Sequence, residues 1–340
     1  VKNGETVAAF EREFAAYVGA RYAIALCNGT ATLHTALVAM GVQPGDRVAV
    51  PPLTMSATAI AVLHAGGVPV FVDVDPDTWL MAEPPILDEH GAGPVRWKGV
   101  PVSLYGLHYG RLWPGYVEDA AQTLRPHGDA AFTSYSFQAS KILALGEGGM
   151  LATNDEVLAT RAREFSSLGY RMQADQPRID PAVLKHSNFA RHHGLGYNYR
   201  MSDLVAAEGL RRLAHADELL LERRTAASSY RDAIAGCAWL TPQHVPDGWA
   251  HDYWTYAVAV DTPARWSPFV DAIVRHGGER PYAAWRLTYQ EPAFRHLAPD
   301  GTCPVAEDLQ PRLVQFQTNR LPAAERNAAA VRAAIQELGR

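Results

Sequence analysis

Lys141 is the residue most suited to chemistry in this sequence. It lies in the largely apolar run SYSFQASKILALGEGG, residues 134–149, and a cluster of glycines follows it. Burial in such a segment disfavours the charged ammonium and lowers the lysine pKa, and a neutral amine is what attacks a carbonyl to form a Schiff base. An exposed lysine in a loop between two strands is the plainer reading of the same residues. The rest of the chain decides between them.

A lysine that holds pyridoxal phosphate needs three further things: a carboxylate for the pyridinium nitrogen, a cradle for the phosphate, and a group to cover the ring. The run YVEDAAQ, residues 116–122, ends a short apolar stretch in two adjacent acids, Glu118 and Asp119, either of which could serve or could simply cap a strand end. The run CNGTAT, residues 27–32, reads as a strand-to-helix turn, where free backbone N–H groups and the helix dipole suit an anion. A Gly-Thr pair before a helix is also ordinary capping chemistry.

Taken together, these pieces resemble the fold type I pyridoxal-phosphate aminotransferases of the DegT/DnrJ/StrS family, which aminate keto-sugars and keto-cyclitols. The matching stretches are NGTATLH at 28–34, PGD at 44–46, VFVDVDP at 70–76, EDAAQ at 118–122, Ser136-Phe137 with Lys141, GEGG at 146–149 and GYNYRMS at 196–202. They stand in the family's order over most of the chain and fade in its last third. The resemblance implies Lys141 as the Schiff-base lysine, five residues after the phosphate-binding Ser136. It implies Asp119 rather than Glu118 at the pyridine nitrogen, and Gln122 beside the 3′-oxygen. Gly29, Thr30 and Ala31 would give backbone N–H groups to the phosphate. Asn198 resembles an asparagine that reaches the phosphate from a neighbouring subunit, which would make the active site that of a homodimer. Relatives place an aromatic residue after Leu53-Thr54 to stack on the ring; this chain has Met55, whose thioether would cover the ring instead.

The activity implied is transfer of an amino group from an amino acid, glutamate or glutamine, to a keto-sugar, nucleotide-keto-sugar or keto-cyclitol. It would run as a ping-pong cycle through pyridoxamine 5′-phosphate. Two competitors share the scaffold. One is a pyridoxamine-dependent dehydratase or deoxygenase, but those relatives replace the lysine, usually by histidine. The other is a non-catalytic relative that senses a ligand; the joint presence of Lys141, Asp119, Gln122 and Ser136 speaks against it.

Composition limits the remaining possibilities. The 340 residues carry a net charge of −5 with signs interspersed, so no basic stripe points to nucleic acid. No apolar run is long enough to span a bilayer, and the N-terminus lacks a signal-peptide pattern, which makes a cytoplasmic enzyme the expectation. Cys27, Cys237 and Cys303 are too few and too scattered for a disulfide framework. His186, His192 and His193 have no nearby acid or cysteine to complete a metal site, so no metal is expected. Val1 stands where a start methionine would, and relatives carry a further segment before this point; the N-terminal part of the family fold is expected to be missing.

The elements that must position these residues follow from hydrophobic period. Val7, Phe10, Phe14, Tyr17 and Val18 predict an amphipathic helix stopped by Gly19. Strands are predicted at 23–27, 47–50, 68–73, 100–104, 117–118, 130–133 and 150–153, with helices at 30–40, 56–65 and 156–168. Such alternation calls for an α/β domain with a mostly parallel central sheet flanked by helices, with ligands at the carboxyl ends of its strands. Helical material at 202–234, a strand with one buried face from Trp254 to Val260, and helices at 268–276 and 323–338 predict a smaller C-terminal α+β domain. The large domain is expected to span residues 1–224 and the small one 225–340. The stretches 83–98, 107–115 and 122–129 are shorter than in relatives, and the region from Trp79 to Trp113 together with residues 280–286 is expected to shape acceptor choice.

Overall fold

The computed structural model describes residues 4–82, 98–112, 114–124, 126–175 and 185–339; residues 83–97, Trp113 and Arg125, within the stretches expected to be shorter than in relatives, and residues 176–184 lie outside these. The chain opens with α1, Glu5–Val18, whose Val7, Phe10, Phe14 and Val18 are buried along one face and whose C-cap Gly19 adopts φ 69°. That left-handed turn suits a residue without a Cβ. β1 (Tyr22–Leu26), α2 (Gly29–Ala39), β2 (Arg47–Val50), α3 (Ala57–His64), β3 (Val68–Phe71) and β4 (Lys98–Gly99) follow. Then come β5 (Val117–Asp119), β6 (Phe132–Ser136), β7 (Gly149–Thr153) and α4 (Glu156–Ser166).

Strands β3, β2 and β4 pair in parallel, and β5 pairs in parallel with β6. The parallel pairings Gly99↔Tyr116 and Val102↔Asp119 dock β5 beside the β4 segment, so the described strands run β3-β2-β4-β5-β6-β7-β1. β7 alone runs against its neighbours, pairing antiparallel with β6 on one side and β1 on the other. The sheet is therefore mostly parallel, with one reversal beside the lysine-bearing loop.

Two expected strands are displaced. The segment expected at 100–104 pairs at Lys98–Gly99 and again at Val102, then turns at Leu104–Gly106 with Tyr105 at φ 61°. The strand expected at 130–133 begins at Phe132 and runs to Ser136, because Thr133, Ser134, Tyr135 and Ser136 pair with β7 from Ala152 back to Gly149.

The second part holds α5 (Asp203–Leu213), α6 (Ala216–Ile234), β8 (Leu240–Pro242), β9 (Thr255–Val260), α7 (Pro263–Arg275), β10 (Tyr282–Ala283), α8 (Pro304–Leu309), β11 (Leu313–Gln317) and α9 (Leu321–Leu338). The helical material expected at 202–234 forms two helices, with a break at Ala214 and His215. The helix expected from Pro268 starts at Pro263, since proline at a first helical position forfeits only an N–H that has no partner there. β10-β11-β9-β8 form an antiparallel sheet.

β9 is buried on both faces, not one. Tyr256, Val258 and Val260 pack with Phe269, Phe316 and Val331, while Ala257 and Ala259 join the core that includes Leu104, Leu107 and Tyr289. The small residues in the alternation mark the face that meets this other core closely.

One buried charge pair supports the lysine side of the sheet. Glu11 of α1 accepts both terminal nitrogens of Arg163 of α4 at 3.1 and 3.0 Å and the Ala25 N–H at 2.8 Å. Both side chains are buried, so each satisfies a charge the other could not leave unpaired.

Candidate active site

At the carboxyl edge of β1, Asn28 caps α2: its extended backbone (φ −167°, ψ 171°) lets Oδ1 accept the Ala31 N–H at 2.8 Å. Gly29 then passes so close to β6 that a Cβ on it would lie 2.8 Å from the Ser136 Cβ. Gly29, Thr30 and Ser136 thus share one wall of a cavity of about 530 Å³. Ala31 does not line it, and its N–H is already held by Asn28.

From Ser136 the chain leaves the sheet and returns to it at β7. Phe137 N–H donates to the Gly148 carbonyl at 2.9 Å, Ala139 N–H to Gly146 at 3.0 Å and Leu145 N–H to Phe137 at 2.7 Å. The loop closed by these bonds presents Lys141 to the cavity. Burial lowers the Lys141 pKa to about 8, against the pull of the Asp119 carboxylate, which raises it; Arg223 lowers it further. Its Nζ lies 4.4 Å from the centre of a ring of Trp254, whose Nε1 donates to the Ser140 carbonyl at 2.7 Å.

Asp119 ends β5 and also faces the cavity, whereas Glu118 points to the other side of the strand and accepts the Ser103 hydroxyl at 2.6 Å. Successive strand residues point oppositely, which separates these adjacent acids. The Asp119 carboxylate accepts the Thr58 hydroxyl at 2.8 Å and the Ala121 N–H at 3.1 Å. Burial raises its pKa, opposed by these two hydrogen bonds and by Lys141.

Gln122 lines the same cavity and accepts the Tyr105 N–H at 2.5 Å through its carboxamide oxygen, leaving the NH₂ end as the donor available to the cavity. The positive φ of Tyr105 aims that N–H. Residues 106–108 pair along 250–252: Asp252 N–H donates to the Gly106 carbonyl at 2.8 Å and His108 N–H to Ala250 at 3.0 Å. That pairing brings Trp254 over Lys141.

Met55 stands at the cavity mouth, 48% exposed, with its sulfur accepting the Ala57 N–H at 3.0 Å. Asn198 is exposed and does not line the cavity of its own chain; it lies next to the Tyr199 carbonyl, which accepts the Cys27 N–H at 2.7 Å. Trp254, Trp285 and Glu147 also line the site, beyond the residues that the motifs point to. Trp254 was absorbed into the alternating pattern of β9, and only its size beside smaller neighbours set it apart. Trp285 falls within the 280–286 stretch expected to shape acceptor choice.

The model of the DegT/DnrJ/EryC1/StrS aminotransferase family matches residues 1–90 and 116–332, and the unmatched interval overlaps the shortened stretches. A GDP-perosamine synthase from Caulobacter vibrioides is 36% identical over 274 residues, 75% of this chain and 69% of that protein. Spore coat polysaccharide biosynthesis protein SpsC from Bacillus subtilis is 35% identical over 282 residues, 77% of this chain and 70% of its own length. Among solved structures, S. venezuelae DesV superposes with a TM-score of 0.82 at 28% identity, covering 97% of this chain and 89% of that one. 3-Amino-5-hydroxybenzoic acid synthase superposes with a TM-score of 0.81 at 26% identity, covering 98% and 91%. With the lysine, the aspartate and the glycine–serine wall set around one cavity, the chain belongs to the DegT/DnrJ/EryC1/StrS aminotransferase family, with the fold type I architecture of pyridoxal-phosphate enzymes.

Proposed function

We propose that the protein is a pyridoxal-phosphate-dependent aminotransferase that moves an amino group from glutamate or glutamine to a keto-sugar, nucleotide-keto-sugar or keto-cyclitol. One observation carries the reading: a lysine whose pKa is lowered to about 8 shares a cavity with a buried carboxylate and an anion-sized wall of Gly29, Thr30 and Ser136. The Gly29–Ser136 approach, which a Cβ would fill, fits a phosphate bound by backbone N–H groups and a hydroxyl. Asp119 fits a protonated ring nitrogen, Gln122 the ring oxygen, and Met55 one ring face. When bound, the cofactor supplies an electron sink for the pair released as the donor loses its Cα proton.

The chain's own groups do the rest. Lys141 would hold the cofactor's aldehyde carbon, and when free its neutral amine would take the donor's Cα proton and return it one position along. The Thr58 and Ala121 hydrogen bonds favour ionised Asp119 against the burial that raises its pKa, and a protonated ring nitrogen would favour it further. Similarity to a GDP-perosamine synthase supports an acceptor that carries a nucleotide. The exposure of Asn198, away from its own cavity, supports a homodimer in which it serves the partner's site.

The test is spectroscopic. Protein saturated with pyridoxal phosphate should gain a visible absorbance that fades on adding glutamate or glutamine, with release of the matching keto acid, and returns on adding a keto-sugar acceptor. A cofactor-saturated protein whose absorbance is indifferent to every amino acid overturns the proposal.

A further inference from the structure

Asp252 is buried two residues before Trp254 and does not line the cavity. Its carboxylate is where three segments meet. Oδ2 accepts the Leu124 N–H at 3.0 Å and lies 2.8 Å from Nε2 of His108, while Oδ1 accepts a hydrogen bond from Nη2 of Arg224, on α6, at 3.1 Å. Burial alone would raise its pKa, yet His108, the Leu124 N–H and Arg224 together hold it below the ordinary carboxylate value. Replacing such a buried network by apolar residues is often neutral for stability, which leaves the joining of particular segments as what it contributes.

Those segments carry the site. Leu124 follows Gln122 by two residues, in a loop closed by Thr123 N–H donating to the Ala120 carbonyl at 3.0 Å. The Gln122 carboxamide accepts the Tyr105 N–H, and the next residue, Gly106, accepts the Asp252 N–H at 2.8 Å. Asp252 thus holds both sides of the link that aims Gln122, one through its carboxylate and one through its backbone. After it comes Tyr253, whose φ of 49° is unfavourable for a bulky residue and persists only where its flanks are held. One flank is Asp252; the other is the Trp254 carbonyl, which accepts hydrogen bonds from Arg223 at 2.9 Å and the Thr318 hydroxyl at 3.0 Å. We propose that Asp252 is a positioning residue: its carboxylate, shared by His108, Arg224 and the Leu124 N–H, sets the Trp254 indole over Lys141 and fixes Gln122 at the cofactor's ring oxygen. This rests on the cofactor reading for Gln122 alone; the placement of Trp254 is a property of the chain itself.

The test reads the indole's place from the lysine. The chain's lysines are Lys2, Lys98, Lys141 and Lys185, so in protein isotope-labelled at the lysine Cε the magnetic resonance signal of Lys141 is assigned by its loss in Lys141→Ala. In cofactor-free protein, below the thermal midpoint of every variant, the ring current of Trp254 sets this signal apart from its position in Trp254→Leu. Asp252→Asn keeps the shape of the side chain but turns an NH₂ toward one of its three donors. It should carry the signal most of the way to the Trp254→Leu position and weaken binding of pyridoxal phosphate about 10-fold, the scale of one charged hydrogen bond. His108→Ala should move both readouts the same way, and His108→Gln, which restores a donor to the carboxylate, should return them toward the parent. The proposal is overturned if either readout keeps its parental value in folded Asp252→Asn or His108→Ala, or if His108→Gln does no better than His108→Ala. The lysine signal is read without cofactor, so a failure of the cofactor reading shows in the visible spectrum and leaves this result standing.

Discussion

The two walls of the main cavity are built on different principles. The wall nearest the sheet is made of short groups at strand ends: Gly29, Thr30, Ser136, Asp119 and the loop that carries Lys141. Their positions follow from local rules, a helix cap, strand alternation and the close approach of two backbones. The opposite wall is made of Trp254 and Trp285, stacked with ring centres 6.2 Å apart; the first arrives from the C-terminal half through pairing of 250–252 with the 106–108 connector, the second from the segment after β10. The first wall sets what chemistry is possible. The second sets what can reach it.

Removing Lys141 tests the first wall most severely. Lys141→Ala should cut turnover at saturating donor by at least about 10²- to 10⁴-fold, the usual yield of a positioned acid–base group, with an unchanged far-ultraviolet circular dichroism spectrum. A variant retaining a tenth of the parental rate would move the chemistry elsewhere. Gly29→Ala comes next. Its methyl would lie 2.8 Å from the Ser136 Cβ, so the cradle must shift, and cofactor affinity should fall about 10-fold, the equivalent of about 1.4 kcal/mol, with far less effect on the thermal midpoint.

Trp254→Leu probes the second wall. The indole face favours the Lys141 ammonium by about 0.5–2 kcal/mol, so its loss should favour the neutral amine and shift that pKa downward from about 8 by roughly 0.4 to 1.5 units. The rate at which cofactor-free protein captures pyridoxal phosphate, followed against pH, should then reach its plateau at lower pH; an upward shift would refute the assignment. Met55→Phe should give the smallest effect. Replacing a half-exposed thioether by an aromatic ring should tighten cofactor binding by about 2- to 5-fold, and equal affinity would show that this face of the ring needs no cover.

This division also explains what could be read from the residues alone. Lys141 was legible from its apolar surroundings, Gly29 and Thr30 from a strand-to-helix turn and the acid pair from the end of a short strand, whereas Gln122 and Ser136 came with the resemblance; Lys141, Gly29, Thr30, Asp119, Gln122 and Ser136 all line the cavity. The choice between Glu118 and Asp119 rested on resemblance, and the strand's two faces supply its physical counterpart. Trp254 was not legible as a site residue because its placement depends on Gly106 and the distant segment 250–252, and Trp285 because it follows β10, which is held by β11; neither long-range pairing is encoded in hydrophobic period. The Glu11–Arg163 pair was missed for a related reason: a charged residue inside an amphipathic helix reads as solvated until its partner on another helix is seen. The reversal of β7 was equally hidden, since a strand's direction leaves no mark on its composition.

That reversal has a mechanical consequence for the lysine. Had β7 run with its neighbours, the chain after Ser136 would have had to cross to the far side of the sheet, leaving Lys141 hanging from a single attachment. Because the strand turns straight back, both ends of the lysine's loop are riveted to the same rim, at Phe137 and Gly148. The amine becomes a short arm on a two-point mount, free to swing at its tip while its base stays still.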